Sequence, residues 1–314
     1  MQDIDNSNIP NANNDEIDLW ELFQVLINGK WIIISLTTFV SIFAVVYSLS
    51  LPNIYESKTL LVSSSPESQS GLSQKYGSLA NIAGIDLTSG GSESNSVQAF
   101  QKLSSLSFFE TNILPNIFLP NLMAFDSWNS QGNLLEYDKE IYDITSNIWV
   151  RDFSYPERLI PSAQESFAIF SKHLSIGMDK NTNFMTLKVK HQSPYIAQKW
   201  AKLYIDQINK FYRKKDKDEA LKAVNYLNTF MAKANLSEIK QSIATLLQQE
   251  TQKLTLIEAN EFYVYEYIDP PAVMEKKSEP RRSTICILAA LLGAMLSVIA
   301  VLFRHYVFNK EFAS

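Results

Sequence analysis

Residues 269–305 read DPPAVMEKKSEPRRSTICILAALLGAMLSVIAVLFRH, and their order decides the architecture of the chain. The proline pair Pro270-Pro271 leads into a charged segment that ends in Pro280 and the basic pair Arg281-Arg282. From Ser283 to Phe303 no residue carries a charge, and Arg304-His305 close the run. At 1.5 Å of rise per helical residue, such a run spans roughly 30 Å, the thickness of a bilayer's hydrocarbon core. A second uncharged run of the same kind extends from Trp31 to Leu51. Trp31, Tyr47 and Tyr55 sit near its ends, where amphipathic rings favour the membrane–water boundary. The sequence therefore predicts a hairpin of two membrane helices, with the long middle segment held on one side.

The divisions expected are an N-terminal segment over 1–30, a first span over 31–51, a domain over 52–282, a second span over 283–303 and a tail over 304–314. The 314 residues carry a net charge of −5. Acids gather before the first span (Asp3, Asp5, Asp15, Glu16, Asp18, Glu21), whereas the middle segment nearly balances. A nucleic-acid partner would leave a basic excess, so none is expected. Cys286 is the one cysteine and lies inside the second span, which excludes disulfides and cysteine-based metal sites within the chain. The acidic N-terminus and the length of the first run argue against a cleavable signal peptide. Basic residues flank both sides of the spans: Lys30, Arg304 and Lys310 on one, Lys58, Lys276, Lys277, Arg281 and Arg282 on the other. That count opposes export of the middle segment, although long segments translocate largely regardless of charge.

Residues 1–14 are polar enough to be disordered. From Asp15, Leu19, Leu22, Phe23, Leu26 and Ile27 recur at helical spacing, which predicts an amphipathic helix ending near Gly29. It would lie at the membrane interface or meet a cytoplasmic partner. Tyr55–Val62 reads as a strand, followed by a Ser- and Gly-rich loop with an apolar island at 79–85. Val97, Phe100, Leu103 and Leu106 predict a helix that stops near Pro115. Aromatics crowd 116–160; they could stack on sugar rings, but packing is their commoner role. Ser162 to Glu165 forms a capping box for a helix to about Lys172. Alternating Leu174, Ile176, Met178 and Met185, Leu187, Val189 form a hairpin around 179–183. Pro194 opens a helix of about 40 residues, roughly 60 Å long. Trp200, Tyr204 and Ile208 lie on its apolar stripe and are candidates for a packing or oligomer face. After a bend near Ala234, Asn235 should cap a further helix to about Asn260, and Phe262–Ile268 should return as a strand. First and last strands should pair in one membrane-proximal mixed sheet. The fold class is α+β.

The chemistry of catalysis is missing from the pattern. There is no Walker A loop, GxSxG, HExxH or dinucleotide fingerprint. His173, His191 and His305 are scattered and read as surface or interface residues rather than metal ligands. Neither span holds an ionisable residue, against an ion path. No catalytic residue, metal or cofactor is expected. Ala289, Gly293 and Ser297 recur every four residues along the second span, where small side chains let helices approach closely in lipid.

Taken in order, several stretches resemble the chain-length determinant proteins, the Wzz-type polysaccharide co-polymerases. These are Asp15-Glu16-Ile17-Asp18-Leu19-Trp20-Glu21-Leu22 leading to Lys30-Trp31, and Pro52-Asn53-Ile54-Tyr55-Glu56-Ser57 beyond the first span. LANIAGI at 79–85, Ser105 to Phe109, and Lys190-His191-Gln192-Ser193-Pro194 with Ala197 and Trp200 continue the likeness. Asp269-Pro270-Pro271-Ala272, Pro280 and the Gly293 span resemble the family's proline-bearing return to the membrane. The likeness is weakest over 116–160, and the prolines before the second span are sparser than the family's pattern. The resemblance implies cytoplasmic ends, a periplasmic domain over 52–282 and a homo-oligomer in the bacterial inner membrane. It implies a non-catalytic regulator of the length of a lipid-linked glycan such as O-antigen, partnered by a separate polymerase. Some relatives carry a kinase module after the second span; the short stretch after Phe303 implies none here. A role in capsule or exopolysaccharide export, coupled to an outer-membrane channel, is the nearest alternative. A two-span sensor would need an output domain that the tail is too short to form, and an efflux-pump adaptor normally needs only one span.

Overall fold

A computed structural model describes residues 19–64 and 92–308. The readings for 1–18, the loop over 65–91 with its apolar island, and the tail beyond Phe308 lie outside the described residues. Two compact units divide the chain: a helical hairpin (residues up to Pro52 and from Glu279) and a domain from Asn53 to Ser278.

In the hairpin unit, α1 (Leu19–Asn28) precedes α2 (Lys30–Ser50), and α7 (Arg282–Phe308) pairs with both. The last helix thus runs five residues past the expected end of the second span, through Arg304 and His305.

The domain is built on a four-stranded sheet, in the order β6 (Leu174–Met178), β7 (Met185–His191), β1 (Tyr55–Ser63), β8 (Tyr265–Asp269). Every pairing is antiparallel, where a mixed sheet was expected. The reason is topological: β6 and β7 form a tight hairpin, and β8 runs back beside β1. First and last strands do pair, from Leu60 opposite Asp269 to Ser63 opposite Tyr265. Alternation puts Ser57, Thr59 and Leu61 of β1, and Met185, Leu187, Val189 and His191 of β7, on the buried face.

Helix α5 (Pro194–Lys233) covers that face. Its stripe of Trp200, Ala201, Tyr204, Ile205, Ile208 and Tyr212 forms the centre of the core. Phe170, from α4 (Ala163–His173), stacks on Tyr204 with ring centroids 5.2 Å apart and tilts against Trp200 at 5.2 Å. Phe108 meets Tyr204 edge-on at 6.0 Å, and Phe109 lies 5.3 Å from Phe170. These rings come from short helical turns that follow α3 (Ser92–Leu103). On α3 the buried face is Ser96, Ala99 and Leu103, and Val97 is exposed instead of joining it. Small residues there allow close approach: the Tyr265 hydroxyl donates to the Ser96 carbonyl at 2.6 Å.

Helix α6 (Ser237–Ala259) folds back along α5. Leu236, not Asn235, occupies its N-cap position, and no side chain caps it. Asn235 sits one residue too early to reach the free N–H groups of the first turn. The strand expected from Phe262 starts only at Tyr265 because the preceding residues are tied to α5. Arg213 donates to the carbonyls of Asn260 and Glu261 at 2.5 and 2.6 Å, and the Tyr263 hydroxyl donates to Asp216 at 2.6 Å. Asn209, buried on α5, accepts from the N–H groups of Val264 and Tyr265 (2.8 and 2.9 Å) and donates to the Tyr265 carbonyl (2.9 Å).

Half of the capping box forms at α4. The Ser162 hydroxyl accepts from the Glu165 N–H at 3.2 Å, but the Glu165 carboxylate turns away to pair bidentately with Arg151. Between α3 and α4 in the chain, β2 (Phe125–Asn129) and β3 (Leu134–Tyr137) make one small hairpin, and β4 (Tyr142–Asp143) and β5 (Ile148–Trp149) another.

Two substitutions in α5 should move stability in opposite directions. Asn209→Ala strands three backbone groups and should cost about 3 kcal/mol. The Tyr204 hydroxyl is buried with no partner among the described residues, and burial pushes its pKa up. Tyr204→Phe should therefore gain about 1 kcal/mol. Denaturant unfolding of the detergent-extracted protein checks both; a Tyr204→Phe loss comparable to that of Asn209→Ala would contradict the assignment.

Candidate functional site

Within the hairpin unit, α7 lays small residues against α2. A Cβ placed on Gly293 would lie 3.1 Å from the Val40 Cβ and 3.5 Å from the Thr37 Cα, so any side chain there would press on Val40, and a large one would not fit. One turn on, Ser297 is fully buried; its hydroxyl donates to the Ala294 carbonyl at 2.7 Å and lies 3.4 Å from the Thr37 hydroxyl. Ala289, a turn earlier, is half-buried. The ridge continues to Val301, which fills the place of the missing side chain at Gly29. The sequence named Ala289, Gly293 and Ser297 as candidates but not the Gly29–Val301 contact, whose signal is a glycine in the middle of a helical stretch. Arg282 Nε donates to the Ser48 carbonyl at 3.0 Å. The remaining surface of α7, from Ile287 and Leu288 to Leu296, Ile299 and Phe303, is apolar and exposed, as a lipid-facing surface is.

On α1 the expected stripe is divided. Leu22 and Leu26 are half-buried and Val25 is buried, while Phe23 and Ile27 face outward with Trp20.

In the domain, β8 ends at Asp269, and Pro270 and Pro271 supply no N–H to a ladder. Side chains of the neighbouring strand and helix take over. Thr59 and Ser57 donate their hydroxyls to the carbonyls of Asp269 (2.8 Å) and Ala272 (2.9 Å), and Gln198 donates to that of Pro271 (3.3 Å). Further on, Lys277 reaches Asn53 at 2.9 Å, and both the N–H and hydroxyl of Ser278 donate to the Ile54 carbonyl. The first and last segments of the domain are thereby stitched together. Pro280 belongs to the hairpin unit, where its carbonyl accepts from Arg282 N–H at 3.0 Å.

Trp200, Tyr204 and Ile208 are brought together, but inside the core, with relative exposures of 2%, 0% and 0%. They leave no surface for a second copy, which corrects the oligomer half of that expectation; a stripe read from spacing does not say which neighbour covers it. Outward-facing apolar residues lie elsewhere on these helices, at Leu221, Tyr226, Phe230, Leu236, Ile239 and Leu246.

His191 is also not a surface residue. It is 3% exposed, between Phe125 (4.5 Å) and Trp200 (5.2 Å). Its Nδ1 accepts from the Ser193 N–H at 2.9 Å, which leaves Nε2 protonated toward the Asn121 carbonyl at 3.4 Å. Desolvation pushes its pKa down to about 4, and burial lowers that of His173 beside it. Arg151 holds Glu165 below the usual carboxylate range by hydrogen bonding. Among the described residues no group of three or more His, Cys, Asp or Glu is placed to hold a metal ion.

These features define a membrane protein with two long apolar helices and an α+β domain between them in sequence. Residues 15–110 match the family described as chain length determinant protein, Wzz. Residues 237–306 match a G-rich domain described on putative tyrosine kinases. Among solved structures it is similar to a full-length bacterial polysaccharide co-polymerase, with 14% identity, coverage of 93% of this chain and 99% of that one, and a TM-score of 0.42. It is also similar to a fragment of WzzB, a polysaccharide co-polymerase from Salmonella Typhimurium, with 11% identity, 72% and 100% coverage, and a TM-score of 0.32. No curated protein matches by sequence.

Gly293→Leu should force α2 and α7 apart, lowering the thermal midpoint of the detergent-extracted protein, whereas Leu292→Ala on the exposed face should leave it nearly unchanged. Equal midpoints for wild type and Gly293→Leu would overturn the packing assignment. The buried His191 gives a second expectation. It stays neutral in the folded chain while the unfolded histidine takes up a proton below about pH 6.5, so stability is lost as pH falls from there toward 4. The full loss from this residue is about 3 kcal/mol. His191→Phe should flatten that part of the stability profile; an unchanged slope between pH 6.5 and 4 would refute it.

Proposed function

We propose that this chain sets the length distribution of a lipid-linked surface polysaccharide of the O-antigen type. It acts as a non-catalytic, homo-oligomeric co-polymerase beside a separate polymerase. In this reading both ends are cytoplasmic, residues 52–282 form a periplasmic domain, and spans 31–51 and 283–303 cross the bacterial inner membrane. The observation that carries it is the Wzz match over residues 15–110, which begins before the first apolar helix and runs through β1. The two-helix hairpin, with Ala289, Gly293 and Ser297 on its packing ridge and Pro270, Pro271 and Pro280 leading back to it, suits a scaffold whose shape does the work. A capsule or exopolysaccharide substrate is the second reading, favoured by the match of residues 237–306 to the G-rich domain.

Gel analysis of surface polysaccharide from cells with and without the chain tests this. Deletion should turn a modal ladder into a featureless, shorter one while total sugar incorporation continues. If incorporation stops although the polymerase is expressed and inserted, the chain is catalytic or an obligate polymerase subunit, and the regulator reading is wrong. A change confined to capsule or exopolysaccharide selects the second reading.

A further inference from the structure

Three aromatic rings from three separate elements meet at the surface of the domain. Tyr55 opens β1, Trp128 lies in β2, and Tyr195 sits in the first turn of α5. The Tyr55 and Trp128 rings are 5.6 Å apart and nearly perpendicular at 84°; Trp128 and Tyr195 are 6.5 Å apart at 62°. Tyr195 is 49% exposed, and the other two are partly open. The indole N–H donates to Asn133 Oδ1 at 2.9 Å, so the ring is oriented before anything binds. Asn133 itself stands at a left-handed φ of 49° in the β2–β3 turn, which fixes the amide that holds the indole.

The groups around the rings are uncharged hydrogen-bonding ones. The Asn133 amide nitrogen and the two phenolic hydroxyls have no partner among the described residues. Gln192, two residues before α5, donates to the Asp126 carbonyl at 3.3 Å and keeps its own oxygen free as an acceptor. Another exposed apolar region, residues 144–160, mixes aliphatic Ile144, Ile148, Val150, Leu159 and Ile160 with the exposed rings of Phe153 and Tyr155, and among the described residues neither of those two rings is paired with another there. Rings edged by amides and hydroxyls suit a ligand with an apolar face and a hydroxyl rim, which is the chemistry of a pyranose. No deep pocket is required, because a polymer can lie along a shallow aromatic surface.

We propose that Tyr55, Trp128 and Tyr195 form a glycan-binding platform that stacks uncharged sugar units of the polysaccharide chain. This rests on the polysaccharide reading above and names where the domain touches the polymer. Trp128 supplies the largest face, Tyr195 the most exposed one, and Tyr55 backs the indole. Pre-orientation of the indole lowers the ordering cost of binding.

The test uses the full chain in lipid nanodiscs, run in native gels containing polysaccharide purified from the surface of the cells that express it. Wild type should be retarded in a dose-dependent way, and Trp128→Ala and Tyr195→Ala should each weaken retention at least tenfold. Trp128→Phe, which keeps a flat ring, should lose less. Retention should persist at about 0.5 M salt, because no charge is used. Tyr195→Ala, at an exposed position, decides the matter if Trp128→Ala fails to fold, with the thermal midpoint as the check. Absent retention of wild type, equal retention of wild type and Tyr195→Ala, or retention abolished by salt would each overturn the platform. The deletion ladder separates the two levels. A normal ladder in the deletion removes the chain-length reading itself, whereas an altered ladder with unweakened variants removes only the platform.

Discussion

Asn209 reaches from the buried side of α5 to the backbone of Val264 and Tyr265, and its three hydrogen bonds fix where the returning chain joins the sheet. A buried amide with both ends satisfied is directional in a way that the surrounding rings are not. Trp200, Tyr204 and Ile208 supply the apolar area that drives α5 onto the sheet, but such contacts would tolerate sliding. Asn209 sets the register of β8 against α5, and β8 in turn sets the other edge of β1. Arg213 and Asp216, one and two turns further along, extend the same tether to residues 260–263.

Much of this was legible. The two long apolar helices, the β6–β7 hairpin, the 40-residue α5 and the pairing of first and last strands all follow from periodicity and punctuation. What was not legible depends on partners far away in sequence. Asn209 interrupts the apolar positions between Ile208 and Tyr212, and a polar residue at a core-facing position was the available signal. Glu165 looked like the second half of a capping box, but Arg151, fourteen residues upstream, offered a charged partner and took it. Asn235 looked like a cap because of its type, and a shift of one residue removed the role. The placement of His191 in the core could not be read from its neighbours Lys190 and Gln192, both polar, because alternation in β7 decides it.

The hairpin unit shows the same division between composition and geometry. Its outward side chains are large and apolar, which requires only that they face hydrocarbon. Its inward side is specified residue by residue: glycine at 29 and 293, serine at 297, valine at 301. In lipid the hydrophobic effect does not drive helices together, so close packing and the Ser297–Thr37 contact carry the association.

β1 sits between β7 and β8, yet it is the first strand of the domain to be synthesised. Its two partners follow roughly 130 and 200 residues later, so its edges stay unpaired through most of the chain's elongation, and high contact order of this kind slows folding. The strand also begins only a few residues after α2 ends. The domain therefore cannot complete its sheet strand by strand as it emerges. It waits for its own C-terminal segment, and the hydrogen bonds of Ser278 to Ile54 close the structure only once the chain has been made almost to α7. A chain stalled before residue 265 would therefore expose an open β edge to its surroundings.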